Sequence, residues 1–285
     1  MLSKDKKILI VGLGLIGGSY AEGLSKAGYE VGALTRSPGT IDFALKKGII
    51  ASGTTSPDPE YLSRFDIVVF AVYPQLLLEM LEKCQPHFKS GALLTDVTGV
   101  KGALVYKIRE SLRPDLEFVA AHPMAGREVG GVENADCRIF EGANYIVTPT
   151  AANSEAAIAE CEELGRILGF RRITRLSPAK HDEMIGFLSQ LTHCIAVSLM
   201  NCKDSGHLVD LTGDSFRDLT RIARINEEMW YELFRLNKDE LLSQMDLFSA
   251  EFKSLRDAIA AGDEQTVKEK MRTSTLRRSF FDKKE

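Results

Sequence analysis

The sequence is short of the features that mark several protein classes. Its five cysteines (Cys84, Cys137, Cys161, Cys194 and Cys202) are scattered, and none forms a C-x-x-C pair. That pattern speaks against a zinc or disulfide framework and for reduced thiols in a cytoplasmic protein. Positive charge is not in excess either. The 36 Lys and Arg against 40 Asp and Glu give a formal net charge of -4, so neither nucleic acid nor a membrane surface meets the basic face it needs. The first residues, Met1-Leu2-Ser3-Lys4-Asp5-Lys6-Lys7, are polar and lack the apolar stretch of a secretory signal. No apolar run is expected to approach the ~20 residues of a membrane-spanning helix. Internal repeats and low-complexity segments are absent, and Trp230 is the single tryptophan.

What is present is an ordinary globular balance, 44% hydrophobic and 27% charged over 285 residues. At roughly 100–200 residues per domain, that length suggests two domains. The first half alternates short apolar runs with helical stretches. Ile8–Val11, Tyr29–Leu34, Ile67–Val72, Ala92–Asp96, Phe118–Ala121, Tyr145–Val147 and Arg171–Thr174 read as strands. Continuous β-branched runs without alternation indicate strands covered on both faces. Strand–helix–strand order then gives an α/β fold with a doubly wound, mostly parallel sheet. Near Ser177-Pro178 the character changes to helical spacing throughout, with Met184, Phe187, Leu188, Leu191 and Ile195 on one apolar face. The expected division is therefore 1–176, a dinucleotide-binding Rossmann domain, and 177–285, an all-helical domain.

Gly12-Leu13-Gly14-Leu15-Ile16-Gly17 follows the first strand and opens the first helix. The first glycine permits the tight turn, the second lets the backbone approach a pyrophosphate, and the third lets helix and strand pack closely. The helix N-terminus adds free N–H groups and partial positive charge. All six loop residues are therefore assigned to the cofactor, with Val72 at the end of the third strand. An acidic residue after the second strand would bond the ribose 2′-hydroxyl of NAD. Here Thr35-Arg36-Ser37 occupies that place. An Arg fork matches phosphate geometry, so NADP is favoured, with NAD possible.

Three further segments stand out. They are Asp96-Val97-Thr98-Gly99-Val100-Lys101, then His122-Pro123-Met124-Ala125-Gly126-Arg127-Glu128, and Asp218-Leu219-Thr220-Arg221, the last nine residues before Trp230. With the glycine loop, and in this order, they make the chain resemble the prephenate/arogenate dehydrogenases of tyrosine biosynthesis. The resemblance implies a Rossmann domain followed by a helical dimerisation domain, hence a homodimer. It implies oxidative decarboxylation of prephenate, a cyclohexadienyl dicarboxylate, with hydride passing from C4 to the nicotinamide. His122 matches the family's catalytic histidine, and an imidazole can accept the C4 hydroxyl proton near neutral pH. Arg221 matches the arginine that holds a substrate carboxylate. Asp218, Glu128, His193 and Gln190 are further substrate-site candidates. Gln190 and Thr192 replace a histidine and a proline that many relatives carry in this segment. Gly99 stands where relatives carry a serine, so Thr98 is the candidate to supply the missing catalytic hydroxyl. No metal site is expected.

Three alternatives stay open at this stage. Arogenate dehydrogenase would act on the amino analogue of prephenate. A β-hydroxyacid dehydrogenase would need a catalytic lysine, for which Lys203 is the candidate without the surrounding motif. A nucleotide-sensing protein without catalysis would be consistent with Gly99 and Gln190.

Overall fold

A computed structural model describes residues 2–127, 129–204 and 206–282. Strand β1 (Lys7–Val11) leads into helix α1 (Leu15–Lys26), and β2 (Glu30–Leu34) into α2 (Pro38–Lys46). A short strand not apparent in the sequence, β3 (Ser52–Thr54), precedes α3 (Pro59–Leu62). Then come β4 (Ile67–Phe70), α4 (Pro74–Cys84), β5 (Leu93–Asp96) and α5 (Gly102–Ser111). The α/β portion ends with β6 (Glu117–Phe118), β7 (Ala120–Pro123), β8 (Asn144–Thr148), α6 (Glu155–Ile167) and β9 (Arg172–Arg175). From Pro178 the described elements are helical: α7 (Pro178–Ile185), a π-helical segment (Gly186–Leu191), α8 (Thr192–Asn201), α9 (Asp214–Thr220), α10 (Glu227–Leu236), α11 (Lys238–Ala261) and α12 (Glu264–Ser279), with short 3-10 turns between some of them.

The first six strands form one parallel sheet in the order β3-β2-β1-β4-β5-β6. That is the Rossmann order, and its switch point lies between β1 and β4, where a dinucleotide binds at the carboxyl ends of the strands. Helices cover both faces. Ile8 and Ile10 of β1 enter one core cluster and Leu9 and Val11 the other, the period of two that a pleated strand imposes.

The expected single strand over Phe118–Ala121 is two. β6 closes the parallel sheet, whereas β7 starts a second sheet, β7-β8-β9, with β7 and β8 antiparallel. Val119, fully buried, lies between them. One unbroken apolar run thus carries the chain from one sheet to the next, which periodicity cannot reveal.

By compactness the chain forms two units, residues 1–237 and 238–285. Helices α7 to α10 thus belong to the unit that holds both sheets. The expectation about long apolar helices needs correction. Pro178–Asn201 is continuously helical for 24 residues with a mean hydropathy of 1.3 in its most apolar stretch, long and apolar enough by length and composition to cross a membrane. No uninterrupted apolar run flags it because Ser189, Gln190, Thr192 and His193 break the pattern. The segment begins with a buried polar pair, His181 and Asp182, which the site uses.

Candidate active site

The glycine loop has the geometry a pyrophosphate requires. Gly12 has φ +95, and a Cβ there would lie 2.5 Å from the Ala71 carbonyl oxygen and 2.6 Å from Val72 Cγ1. A Cβ on Gly17 would lie 1.9 Å from the Gly12 carbonyl oxygen. Gly14 differs: nothing stands within 4 Å of its Cβ position, so open space lies before the N-terminus of α1. No side chain caps that terminus, which leaves its N–H groups for an anion. Thr35, Arg36 and Ser37 link β2 to α2. Arg36 is exposed, and Ser37 is the N-cap of α2 without a side-chain capping bond.

His122 sits in β7 and is half-buried. Its Nδ1 lies 2.9 Å from Nε2 of His181, a residue the sequence reading did not single out. His181 Nδ1 is 2.7 Å from Asp182 Oδ1. The Asp182 carboxylate also accepts the backbone N–H of Lys101 at 2.8 Å and of Gly102 at 2.7 Å, and so caps α5 from a neighbouring helix. These partners fix the tautomers. Asp182 accepts, so His181 donates from Nδ1 and its Nε2 accepts. His122 must then donate from Nδ1, which turns its Nε2 into the acceptor. Burial is the largest cause holding His122 well below the ordinary imidazole value, followed by His181 and the Lys101 cation. His181 is lowered too, again by burial first, against the opposing pull of Asp182. Both rings are therefore neutral at neutral pH, and His122 Nε2 carries a lone pair that can take a proton.

Beneath this pair lies a second, fully buried one. Lys101 Nζ is 2.6 Å from Asp96 Oδ2, with exposures of 0% and 1%. Thr98 corrects an expectation. Its hydroxyl is buried and bonded to Asp96 Oδ2, lies 3.0 Å from the Val100 carbonyl oxygen and accepts from Lys101 Nζ at 3.3 Å. The single proton of this hydroxyl goes to protein acceptors, so Thr98 has none to donate and does not stand in for the serine absent at Gly99. The Gly99 position itself is roomy: a Cβ there would lie 3.5 Å from Leu233 Cδ2 and 3.9 Å from His122 Cε1.

Gln190 is a second correction. It is 1% exposed, donates from Nε2 to the Leu233 carbonyl oxygen at 3.1 Å, and accepts from Asn237 Nδ2 at 2.8 Å. Asn237 also donates to the Asp182 carbonyl oxygen at 3.0 Å. Gln190 therefore ties the π-helical segment to the end of α10 and is not a substrate contact. A single inserted π turn of this kind often marks a functional site. On the next turn His193 donates from Nδ1 to the Ser189 carbonyl oxygen at 2.9 Å, and its ring packs against Trp230, tilted by 31° with 3.7 Å between centroids. Asp218 lies on α9, and Arg221 opens the turn that follows it. Both are exposed. Glu128 lies outside the described residues. Lys203 is exposed beyond the end of α8. Among the described residues, Glu22, Asp136 and Cys137 are placed closely enough to hold a metal, but all three engage protein partners, Lys26, Arg138 and Lys26 respectively.

Comparison with known proteins places this arrangement. Residues 21–173 match the family model described as prephenate dehydrogenase, nucleotide-binding domain. Residues 177–273 match prephenate dehydrogenase, dimerization domain. The chain belongs to the prephenate dehydrogenase family. A prephenate dehydrogenase from Lactococcus lactis subsp. cremoris is 30% identical over 272 residues, 92% of this chain and 73% of the relative. Among solved structures, prephenate dehydrogenase from A. aeolicus in complex with hydroxyphenyl propionate and NAD+ has a TM-score of 0.90 at 29% identity, covering 99% of both chains. Synechocystis arogenate dehydrogenase has a TM-score of 0.83 at 25% identity, covering 97% of this chain and 100% of that one. The chain is thus an oxidoreductase with a dinucleotide-binding domain.

Proposed function

We propose that this chain is a prephenate dehydrogenase that oxidises and decarboxylates prephenate to 4-hydroxyphenylpyruvate in the cytoplasmic route to tyrosine. The observation that carries the reading is the His122–His181–Asp182 chain, which leaves His122 Nε2 as a neutral acceptor. In this reading His122 Nε2 takes the proton of the C4 hydroxyl as the C4–H bond gives up its hydride. The imidazolium that forms is stabilised by sharing its Nδ1 proton with His181, whose own Nδ1 proton faces Asp182. Arg221 grips a substrate carboxylate through two parallel hydrogen bonds. The ring carboxylate leaves as CO2, its bonding pair enters the ring, the C4 oxygen recovers its proton from His122 as the phenol forms, and aromatisation drives the step forward. Gly12, Gly14 and the uncapped N-terminus of α1 would hold the pyrophosphate of the dinucleotide, whose nicotinamide would supply the hydride acceptor. His193 and Trp230 pack together as one wall, and Asp218, three residues before Arg221, orients the anion-binding turn.

Arg36 and the uncapped N-terminus of α2 at Ser37 favour NADP over NAD, since a 2′-phosphate gains both a guanidinium and free N–H groups. The similarity to an arogenate dehydrogenase keeps arogenate as the second substrate to test. We also assign a homodimer. Leu211, Tyr231, Leu247, Phe252 and Ile259 are exposed apolar side chains of the kind a subunit interface covers.

Steady-state assays with prephenate and arogenate, each with NAD and NADP, test the reading. Fastest turnover is expected with prephenate and NADP. If neither substrate reduces a nicotinamide, the assignment fails. Arg36→Ala should lower kcat/KM for NADP about tenfold and spare NAD. Light scattering should give about twice the 31.5 kDa of one chain.

A further inference from the structure

Strand β7 is the edge of its three-stranded sheet. Ala121, directly before His122, pairs with Val147 on one side. Its own N–H and C=O bond on the other side, where the sheet has no strand. There the Ala121 N–H donates to Asp96 Oδ1 at 3.0 Å, and the Ala121 carbonyl oxygen accepts from Lys101 Nζ at 2.6 Å. A buried ion pair thus replaces the missing strand. All three ammonium protons of Lys101 are used, on Asp96, Ala121 and Thr98. The Lys101 backbone N–H holds Asp182, the residue that orients His181.

We propose that Lys101 is the positioning residue of the two-histidine chain, its side chain fixing the strand that carries His122 and its backbone fixing the carboxylate behind His181. A lysine at 0% exposure with its counter-ion at 1% is an expensive way to brace a strand. What an apolar residue of similar size would not supply is a cation beside the base. The titratable groups bearing on His122 are His181 from α7 and Lys101 from the loop after β5, with Asp182 and Asp96 bonded to one each. Leu233 of α10 contributes no charge. The Lys101 cation thus adds to the burial and the His181 ring that hold His122 unprotonated.

This inference rests on the proposed reaction, so its test includes a measurement that needs no turnover. Lys101→Met keeps the backbone contact and removes the cation. Its kcat is expected to fall about 10–100-fold through misplacement of the base, with cofactor Kd unchanged. The acid limb of its pH profile should move to higher pH. In parallel, NMR should show the His122 ring titrating at higher pH than in wild type. A scaffold-only role would leave that titration where it was. A folded Lys101→Met protein with wild-type kcat and an unmoved His122 titration overturns the proposal. Should that variant not fold, Asp96→Asn keeps the shape and loosens the same clamp. Its kcat should fall as well, and wild-type turnover in D96N overturns the proposal equally. If wild type itself turns over neither substrate while the NMR shift still appears, the proposed reaction is wrong and the clamp stands.

Discussion

The two halves of the site are built differently. The proposed proton-handling half, His122, His181 and Asp182 with Lys101 and Asp96 beneath, is mostly buried, and its hydrogen bonds pair donors with acceptors along the whole chain. The proposed anion-binding half, Asp218 and Arg221, is exposed and lies on a short helix and the turn that ends it. The first half is set before substrate arrives, as electrostatic preorganisation requires. In the proposed reading the second contacts the substrate carboxylate and not the reacting atoms. Chemistry should therefore depend on the buried half and affinity on the exposed one.

Removing the base is the harshest test of that division. His122→Asn should lower kcat by about 10²–10⁴, the range general-base catalysis contributes, and leave cofactor Kd unchanged. If kcat survives, the buried half is not the chemical half. His181→Gln comes next. It takes away the ring that accepts from His122 Nδ1 and should cost about 10–100-fold in kcat, with KM for substrate nearly unchanged. Arg221→Ala should do the reverse. A charge-assisted pair is worth roughly 1.5–3 kcal/mol, so KM rises about 10–100-fold. An R221A protein with altered kcat and unaltered KM would erase the distinction between the halves.

The same division predicts how stability responds to acid. His122 and His181 are both lowered from 6.5 in the folded chain, chiefly by burial. Above that pH neither state binds the extra proton, and the rings contribute nothing. As pH falls below about 6.5, the unfolded chain takes protons that the folded chain still refuses, so stability drops. Tm measured between about pH 8 and pH 5 should therefore fall on the acid side, and less so in a variant lacking both rings. Arg221→Ala leaves both rings in place, so its Tm should show the same acid-side fall as wild type.

Much of the fold was legible in the sequence because continuous β-branched runs and well-placed glycines report local geometry directly. The glycine loop was legible for that reason. The change of sheet at Val119 was not, since one apolar run serves both strands. Within the site, His122 was readable through its neighbours in the chain, whereas His181 comes from a helix 59 residues on. A His-Asp pair in the first turns of an amphipathic helix carries no sign that it will be buried. Thr98 and Gln190 show the converse. The family resemblance placed both near the site, but the direction of a side chain is decided by its packing partners, Lys101 and Asp96 for one, Leu233 and Asn237 for the other.

Gly99 gives the smallest effect, and it probes the seam between the halves. The space its side chain would fill is bounded by Leu233 and by His122 Cε1 at ordinary contact distances, so a serine enters without displacing either. Its hydroxyl would stand beside the imidazole that takes the substrate proton. Because Thr98 is committed to Asp96, no neighbouring threonine duplicates that hydroxyl, and water is the competitor to be displaced. One such hydrogen bond is worth roughly 0.5–1.5 kcal/mol, so Gly99→Ser should raise kcat/KM by about 2–10-fold with Tm unchanged. The gain should vanish in the His122→Asn background, where no base remains for the hydroxyl to serve. A G99S protein that loses activity while keeping its Tm would mean that the open space beside His122 is itself needed, as room for the substrate ring against Leu233.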